Sequence, residues 1–258
     1  VKQLLDVAKR AAREAADLLR DAQAEDIRSK SNAFDLVTEW DLRSEETIRR
    51  VLGETGLPIL GEEGGQDTTA GEMRWLVDPI DGTVNFSHGL PIWSISIALE
   101  TIGGDVQLGV VAAPALGWCF EAVRGQGAFD DHGNPLRVST RSPLARAMLG
   151  TGFPYDAATN PQNNLAEWDH LQRLTNACRR LGCASIDLCL VARGWYDGYW
   201  ERRLSPWDLA AGALIVVEAG GTVTNTRGGP FDAHSGEAVA TNGAIHGELL
   251  SELARVRP

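Results

Sequence analysis

The chain has 258 residues, 43% of them hydrophobic and 23% charged. This bounds it to one large domain or two small ones and excludes disorder as its main state, because there is ample apolar surface to bury. Thirty-five acidic against 24 basic residues leave a formal charge of −11, which argues against general affinity for nucleic acid or an anionic membrane, since both need a basic surface. The most apolar stretch, Leu209 to Val217, is about half the length of a membrane-spanning helix. Asp6, Lys9, Arg10, Arg13 and Glu14 interrupt the N-terminal residues, so no signal peptide reads there and a cytoplasmic protein is expected. Cys119, Cys178, Cys183 and Cys189 form no CxxC pair and read as free thiols in a reducing compartment.

Apolar positions recur at a helical period from Leu4 to Ala22, predicting an amphipathic helix over residues 1–24. Residues 29–34 read as a loop, followed by a helix from Thr38 to about Glu54. Pro58 to Gly61, Met73 to Val77, Ile92 to Thr101, Val106 to Ala112 and Trp118 to Val123 read as strands, with turns at Gly103-Gly104 and Pro114 to Gly117. A short strand near Met148 opens the second half. Helices are expected over Gln162 to Asn176 and Ser185 to Arg193, and a strand over Tyr196 to Trp200. An apolar helix from Pro206 to Ala219, strands near Val223 and Val239, and a helix from Ala244 to Val256 complete the chain. The pattern fits two tightly packed α/β halves, 1–138 and 139–258.

The most informative segment runs from Trp75 to Phe86. Pro79 keeps Asp78 out of helical geometry, so Asp78 and Asp81 lie across a stiffened turn and can face one point, with the Ile80 carbonyl between them. Three hard oxygen ligands in four residues suit Mg²⁺. Gly82 allows close approach by a ligand, and a helix starting here would aim the N–H groups of Gly82 and Thr83 at an anion. The alternative is a turn in which both acids only satisfy local backbone donors. Glu62 and Glu63 in Gly61-Glu62-Glu63-Gly64-Gly65 read either as a second acidic point or as a solvated loop. Asp208 in Ser205-Pro206-Trp207-Asp208, and Asp41 in Thr38-Glu39-Trp40-Asp41, read either as ligands fixed at helix N-termini or as members of capping boxes. His88, His132, His170, His234 and His246 show no zinc-type spacing.

Together these segments resemble the inositol monophosphatase family of Mg²⁺-dependent, lithium-sensitive phosphatases. Asp78-Pro79-Ile80-Asp81-Gly82-Thr83-Val84-Asn85-Phe86 resembles the family's first motif. Trp207-Asp208-Leu209-Ala210-Ala211-Gly212, running on to Glu218-Ala219-Gly220-Gly221, resembles the second. Gly61-Glu62-Glu63 and Asp35-Leu36-Val37-Thr38 with Asp41 match in order, so the resemblance spans residues 30–221. Thr151-Gly152-Phe153-Pro154-Tyr155 is similar to bacterial members in particular. The resemblance implies an α/β (α+β layered) αβαβα sandwich, a homodimer, lithium inhibition, and two or three Mg²⁺ per site.

It also implies roles. Glu62, Asp78 and the Ile80 carbonyl hold the first Mg²⁺, and Asp78, Asp81 and Asp208 the second. Thr83 with Asp41, assisted by Glu62, orients or deprotonates the attacking water. The N–H groups of Gly82 and Thr83 bind the phosphate, and Lys30 matches a family lysine near the phosphate and outer metal. Glu201 accepts hydrogen bonds from substrate hydroxyls, while Gly182 and Ala184 line the ring site. Otherwise Glu201 would be a surface partner of Arg202 or Arg203, and Lys30 a solvated lysine. The sequence departs from the family at Gly64, where Ser is common, at Cys183, where Ser or Thr is common, and in the bulk of Trp40. The expected substrate is inositol monophosphate or a related sugar or polyol phosphate. Fructose-1,6-bisphosphatase, histidinol-phosphate phosphatase and nucleotide 3′-phosphatase activities remain open on the same metal site. A non-enzymatic role in transcription antitermination assemblies is the alternative of another class.

Overall fold

The computed structural model describes residues 1–22, 27–30, 36–67 and 71–256. Asp35 and the 31–34 part of the expected loop lie outside them. In chain order the elements are α1 (Lys2–Leu19), β1 (Ile27–Ser29), β2 (Leu36–Thr38), α2 (Glu39–Leu52), β3 (Ile59–Gly61), β4 (Gly65–Gln66), β5 (Met73–Asp81), α3 (Thr83–Ser87), β6 (Ser94–Thr101), β7 (Val106–Ala113), β8 (Trp118–Val123) and β9 (Gly127–Asp130). The second half adds β10 (Met148–Thr151), α4 (Leu165–Leu174), β11 (Ala177–Arg179), α5 (Ala184–Ala192), β12 (Gly198–Arg202), α6 (Pro206–Glu218), β13 (Thr222–Thr224), β14 (Glu237–Thr241) and α7 (His246–Arg255).

The elements stack in five layers. A seven-stranded sheet has the order β4-β3-β5-β6-β7-β8-β9, and a five-stranded sheet the order β11-β10-β12-β14-β13. α1 and α2 cover the outer face of the large sheet, where Ala8, Ala11, Ala12 and Ala15 give α1 a flat stripe against Ile97, Leu108 and Val110. α5 and α6 fill the space between the sheets. α4 and α7 cover the far face of the small sheet around Trp200, Leu171 and Leu249. This is the αβαβα sandwich expected from the resemblance. Every residue of α5, and Leu209 to Val216 of α6, is buried. Their middle position explains why these two segments are apolar on all sides rather than along one stripe.

Several boundaries differ from the sequence reading, each for a local reason. α1 ends at Leu19 and α4 at Leu174. The residues after α4 form β11, which pairs parallel with β10. The pairing is with a distant strand, so no local pattern marked it. β12 starts at Gly198 and runs on to Arg202, carrying Glu201 into the sheet opposite Ala238. The Asp78–Asp81 segment is the irregular end of β5 and not a turn. Asp78 pairs with Ser96 and Asp81 with Ser94, with the register shifting between them. Pro79 has no N–H for the ladder, and its carbonyl accepts a 3.0 Å hydrogen bond from Ser44 of α2 instead.

Close approach of α6 to the large sheet depends on Gly109 of β7, where an added Cβ would lie 2.7 Å from Ala211 Cα and 2.9 Å from its carbonyl oxygen. Both contacts are backbone and cannot rotate away. Gly109→Ala is therefore expected to destabilise the protein by about 1–3 kcal/mol, the usual cost of overpacking, read as a lower urea midpoint at unchanged m-value.

Candidate active site

The strand ends and helix starts of this stack meet at one cleft of ≈ 370 Å³. Glu62, Asp78, Ile80, Asp81, Gly82, Thr83, Asp208 and Lys30 line it together with Gly182, Ala184 and Glu201. Asp41 stands fully buried behind Thr83. Every residue given a site role by the resemblance is thus brought to this region.

Each acid is held by a local device. Asp41 closes the capping box of α2: its Oδ2 accepts from Thr38 N at 2.7 Å and Thr38 Oγ1 at 2.6 Å. Its other oxygen, Oδ1, lies 3.1 Å from the Thr83 hydroxyl, which is also 3.0 Å from the Ile80 carbonyl. Asp208 closes the equivalent box of α6, accepting from Ser205 N at 2.7 Å. The capping and functional readings are therefore compatible, because a carboxylate has two oxygens and the cap takes one. Asp78 accepts from Ile80 N at 3.0 Å and shares hydrogen bonds with Asp208 and Glu62. Asp81 accepts from Ser185 and Cys183.

Glu62 and Glu63 sit in the turn after β3, shaped by the buried Glu45. Glu45 accepts from Glu63 N and Gly64 N, both at 2.8 Å, and pairs with Arg49 at 2.6 Å. A Cβ at Gly64 would lie 2.6 Å from Glu45 Oε1, which explains the glycine at this departure from the family pattern. Lys30 pairs with Glu62 at 2.7 Å and with Glu63, so it belongs to the site rather than to solvent. Gly82, at φ +92°, reverses the chain into the short α3, a conformation that favours glycine. Asn85 donates to the Leu181 carbonyl at 2.9 Å and the Ile92 carbonyl at 2.7 Å, clamping α3 to the Leu181–Gly182 turn.

Glu201, which also lines the cleft, is buried and accepts from the Tyr199 hydroxyl at 2.6 Å. It is not a surface partner of the neighbouring arginines: Arg202 pairs with Glu167 at 2.9 Å and Arg203 with Asp156 at 3.1 Å. Tyr199, Ser94 and Ser185 carried no assigned role in the sequence reading. The alternation of β12, which puts Tyr199 and Glu201 on one face, was the available signal for the first. The serines bond across elements distant in sequence and had none. Arg180 also lines the cleft.

The electrostatics follow from crowding. Burial raises Asp78 and Asp208 well above the usual carboxylate range, and the neighbouring carboxylates raise them further. Burial likewise raises Asp41, Glu62 and Asp81. Glu63 and Glu201 are each pushed up to about 7, burial being the main cause. Burial pulls Lys30 down, but Glu62 and Glu63 outweigh it and hold the ammonium above its ordinary value. Among the described residues no three His, Cys, Asp or Glu side chains stand in a ready ligand cage; the acids are engaged with one another, with Lys30 and with the caps. The donor set is nonetheless all hard oxygen, with more acidic groups than Lys30 and Arg180 offset. That chemistry fits Mg²⁺-type cations and not zinc, whose usual Cys and His ligands are replaced here by carboxylates.

The family profile of the inositol monophosphatases matches residues 1–257. An inositol-1-monophosphatase of Synechocystis is 42% identical over 235 residues, covering 90% of this chain and 81% of that protein. The Nus factor SuhB of Pseudomonas aeruginosa is 41% identical over 263 residues, covering 98% and 96%. The solved inositol monophosphatase of Anabaena superposes with a TM-score of 0.90 at 38% identity, covering all of this chain and 97% of that one. The chain belongs to the inositol monophosphatase family and is, by class, a phosphatase.

Glu63 and Glu201 hold their protons to higher pH when folded than the ordinary value of 4.5. The folded state therefore binds more protons than the unfolded state between pH 4.5 and 7, and stability falls as pH rises through that window. In chelator, Tm is expected to decline from pH 5 to 7.5, and Glu201→Gln to flatten part of the decline.

Proposed function

We propose that this protein is a Mg²⁺-dependent phosphomonoesterase that hydrolyses inositol monophosphate or a closely related polyol or sugar phosphate. The observation that carries the reading is the convergence of Glu62, Asp78, Asp81 and Asp208 on one cleft that the buried Glu201 also lines. A phosphate monoester is a dianion, and these acids by themselves would repel it. Divalent cations held there would supply the compensating charge and lower the pKa of a bound water. Glu62, Asp78 and the Ile80 carbonyl are assigned to one cation, and Asp78, Asp81 and Asp208 to a second.

The remaining roles belong to the chain. Thr83 and Asp41 form a proton relay: the Thr83 oxygen takes a proton from the attacking water as the hydroxyl passes its own proton to Asp41 Oδ1. The cap from Thr38 holds Asp41 so that Oδ1, and not Oδ2, faces Thr83. The N–H groups of Gly82 and Thr83 at the start of α3 take the phosphate oxygens. Lys30, tethered by Glu62 and Glu63, adds positive charge at the phosphate end. Glu201, fixed by Tyr199, accepts from substrate hydroxyls above the floor made by Gly182 and Ala184. This division of labour favours a polyol, because the distal anchor is a hydrogen-bond acceptor. The reading includes a homodimer and inhibition by Li⁺.

A second role finds support in the 41% identity to a Nus factor over 98% of the chain: assembly with a transcription complex. The charge of −11 favours a protein contact over RNA. An Asp81→Asn protein that still retains RNA polymerase components in a pulldown would separate this role from catalysis.

Phosphate release from inositol 1-phosphate, fructose 1,6-bisphosphate, histidinol phosphate and 3′-phosphoadenosine 5′-phosphate is expected to be fastest for the first, to require Mg²⁺ and to fall with Li⁺. Faster release from another member of the panel would reassign the substrate. Asp81→Asn is expected to abolish turnover with the fold intact by circular dichroism, and near-parent activity would sink the metal-site reading. Thr83→Ala should lower kcat by about 10²–10⁴, the range for losing a positioned proton-transfer group.

The Glu201 carboxyl group is the stronger acceptor for substrate hydroxyls when ionised, because protonation turns one of its oxygens into a donor. With its pKa near 7, KM for inositol 1-phosphate should rise as pH falls below 7, by up to about tenfold per unit. In Glu201→Gln that dependence should vanish.

A further inference from the structure

The start of α5 needs an acceptor that the helix itself does not provide. Its N-cap, Cys183, makes no side-chain capping bond, its thiol meeting the Ser185 hydroxyl at 3.8 Å, so the free N–H groups of the first turn call for another acceptor. Asp81 arrives from β5 and fills this place. Its Oδ2 accepts from Ser185 N at 2.7 Å, from the Ser185 hydroxyl at 2.6 Å and from the Cys183 thiol at 3.2 Å. Behind them stands Ser94 of β6, whose Oγ lies 2.6 Å from Ser185 Oγ and 3.2 Å from Cys183 Sγ. Ser185 gives its hydroxyl proton to Asp81, so Ser94 is the donor within the serine pair. Ser94 and Ser185 are fully buried and Cys183 is 1% exposed, so water does not compete for these bonds.

Three donors on one oxygen do more than cap a helix. The terminal torsion of an aspartate is otherwise broad and roughly two-fold. Pinning Oδ2 against α5 selects one rotation and leaves Oδ1 for the cleft that Asp81 lines. The pinning groups sit at the start of α5 in the middle layer and are backed by Ser94 of β6 in the large sheet. The carboxylate is therefore aimed by tertiary packing rather than by its own strand.

We propose that Ser185, backed by Ser94 and Cys183, is a positioning residue that fixes Asp81 in the rotation presenting Oδ1 to a cation in the cleft, and so sets the affinity for that cation. The proposal rests on the metal-site reading given above. Outer partners of metal-ligating carboxylates are commonly worth about 10–100-fold in affinity or activity. A purely structural capping role would instead appear as a loss of thermal stability with metal affinity unchanged.

The test is a calorimetric Mg²⁺ titration, without substrate, of the full chain and its S185A, S185T and S94A variants, with thermal melts alongside. S185A is expected to bind Mg²⁺ at least about tenfold more weakly. Its KM for inositol 1-phosphate at saturating Mg²⁺ should stay near the parent value, and S185T, which keeps the hydroxyl, should recover most of the affinity. S185A that binds Mg²⁺ as the parent does, with only Tm lowered, would overturn the proposal and leave the metal site standing. A parent that binds no Mg²⁺ would overturn both. If S185A does not fold, S94A decides the matter, since it removes the backing donor without touching α5: weakened Mg²⁺ binding supports the proposal and unchanged binding overturns it.

Discussion

Mutual repulsion among buried carboxylates is the constraint around which this structure is built. Asp41, Glu62, Asp78, Asp81 and Asp208 are drawn out of water into one region, where burial raises the cost of ionising all five and neighbouring carboxylates add to it at Glu62, Asp78 and Asp208. An apolar fold would not tolerate this arrangement unless each acid had donors of its own. Thr38 serves Asp41, Ser205 serves Asp208, the Ile80 N–H serves Asp78, Ser185 serves Asp81, and Lys30 serves Glu62.

The layered architecture supplies a second, collective compensation. α2, α5 and α6 all begin at the cleft, with Asp41 and Asp208 in the first turns of α2 and α6 and Asp81 against the first turn of α5. Helix N-termini carry partial positive charge that favours nearby anions. Three such ends turned toward one point reduce the cost of gathering the acids, and they do so only because α5 and α6 are sandwiched between two sheets. The apolar character of these helices and the polar character of the cleft are thus two consequences of one placement. Burial on all sides aligns the helices, and the exposed work is left to their first turns.

The divided use of carboxylates links stability to chemistry. Asp41 gives one oxygen to the α2 cap and the other to Thr83. Removing such an acid would open a cap and a site at once. Glu201 follows the same logic on the substrate side, where a short strand with alternating faces puts Tyr199 beneath it as a fixed donor. Lys30 is the exception, a flexible cation whose position depends on Glu62 and Glu63 and not on its own short strand.

Much of this was legible in the sequence. The strand leading to Asp78, the capping signatures around Thr38 and Ser205, and the apolar stretch from Leu209 are local patterns, and local patterns are what backbone stereochemistry and periodicity impose. The acids of the cleft could be named because their motifs are contiguous. What tertiary structure decided was of another kind: that Asp78–Asp81 ends a strand with a broken ladder, that β11 pairs beside β10, that Glu201 faces inward to Tyr199 rather than outward to an arginine, and which oxygen of Asp81 is pinned by Ser185. The Tyr199–Glu201 bond joins residues two apart, but the face they share is turned inward only by the pairing of β12 with the distant β14. The others depend directly on a hydrogen bond or pairing between residues far apart in the chain. Such contacts form only after the layers have packed, so local spacing does not encode them.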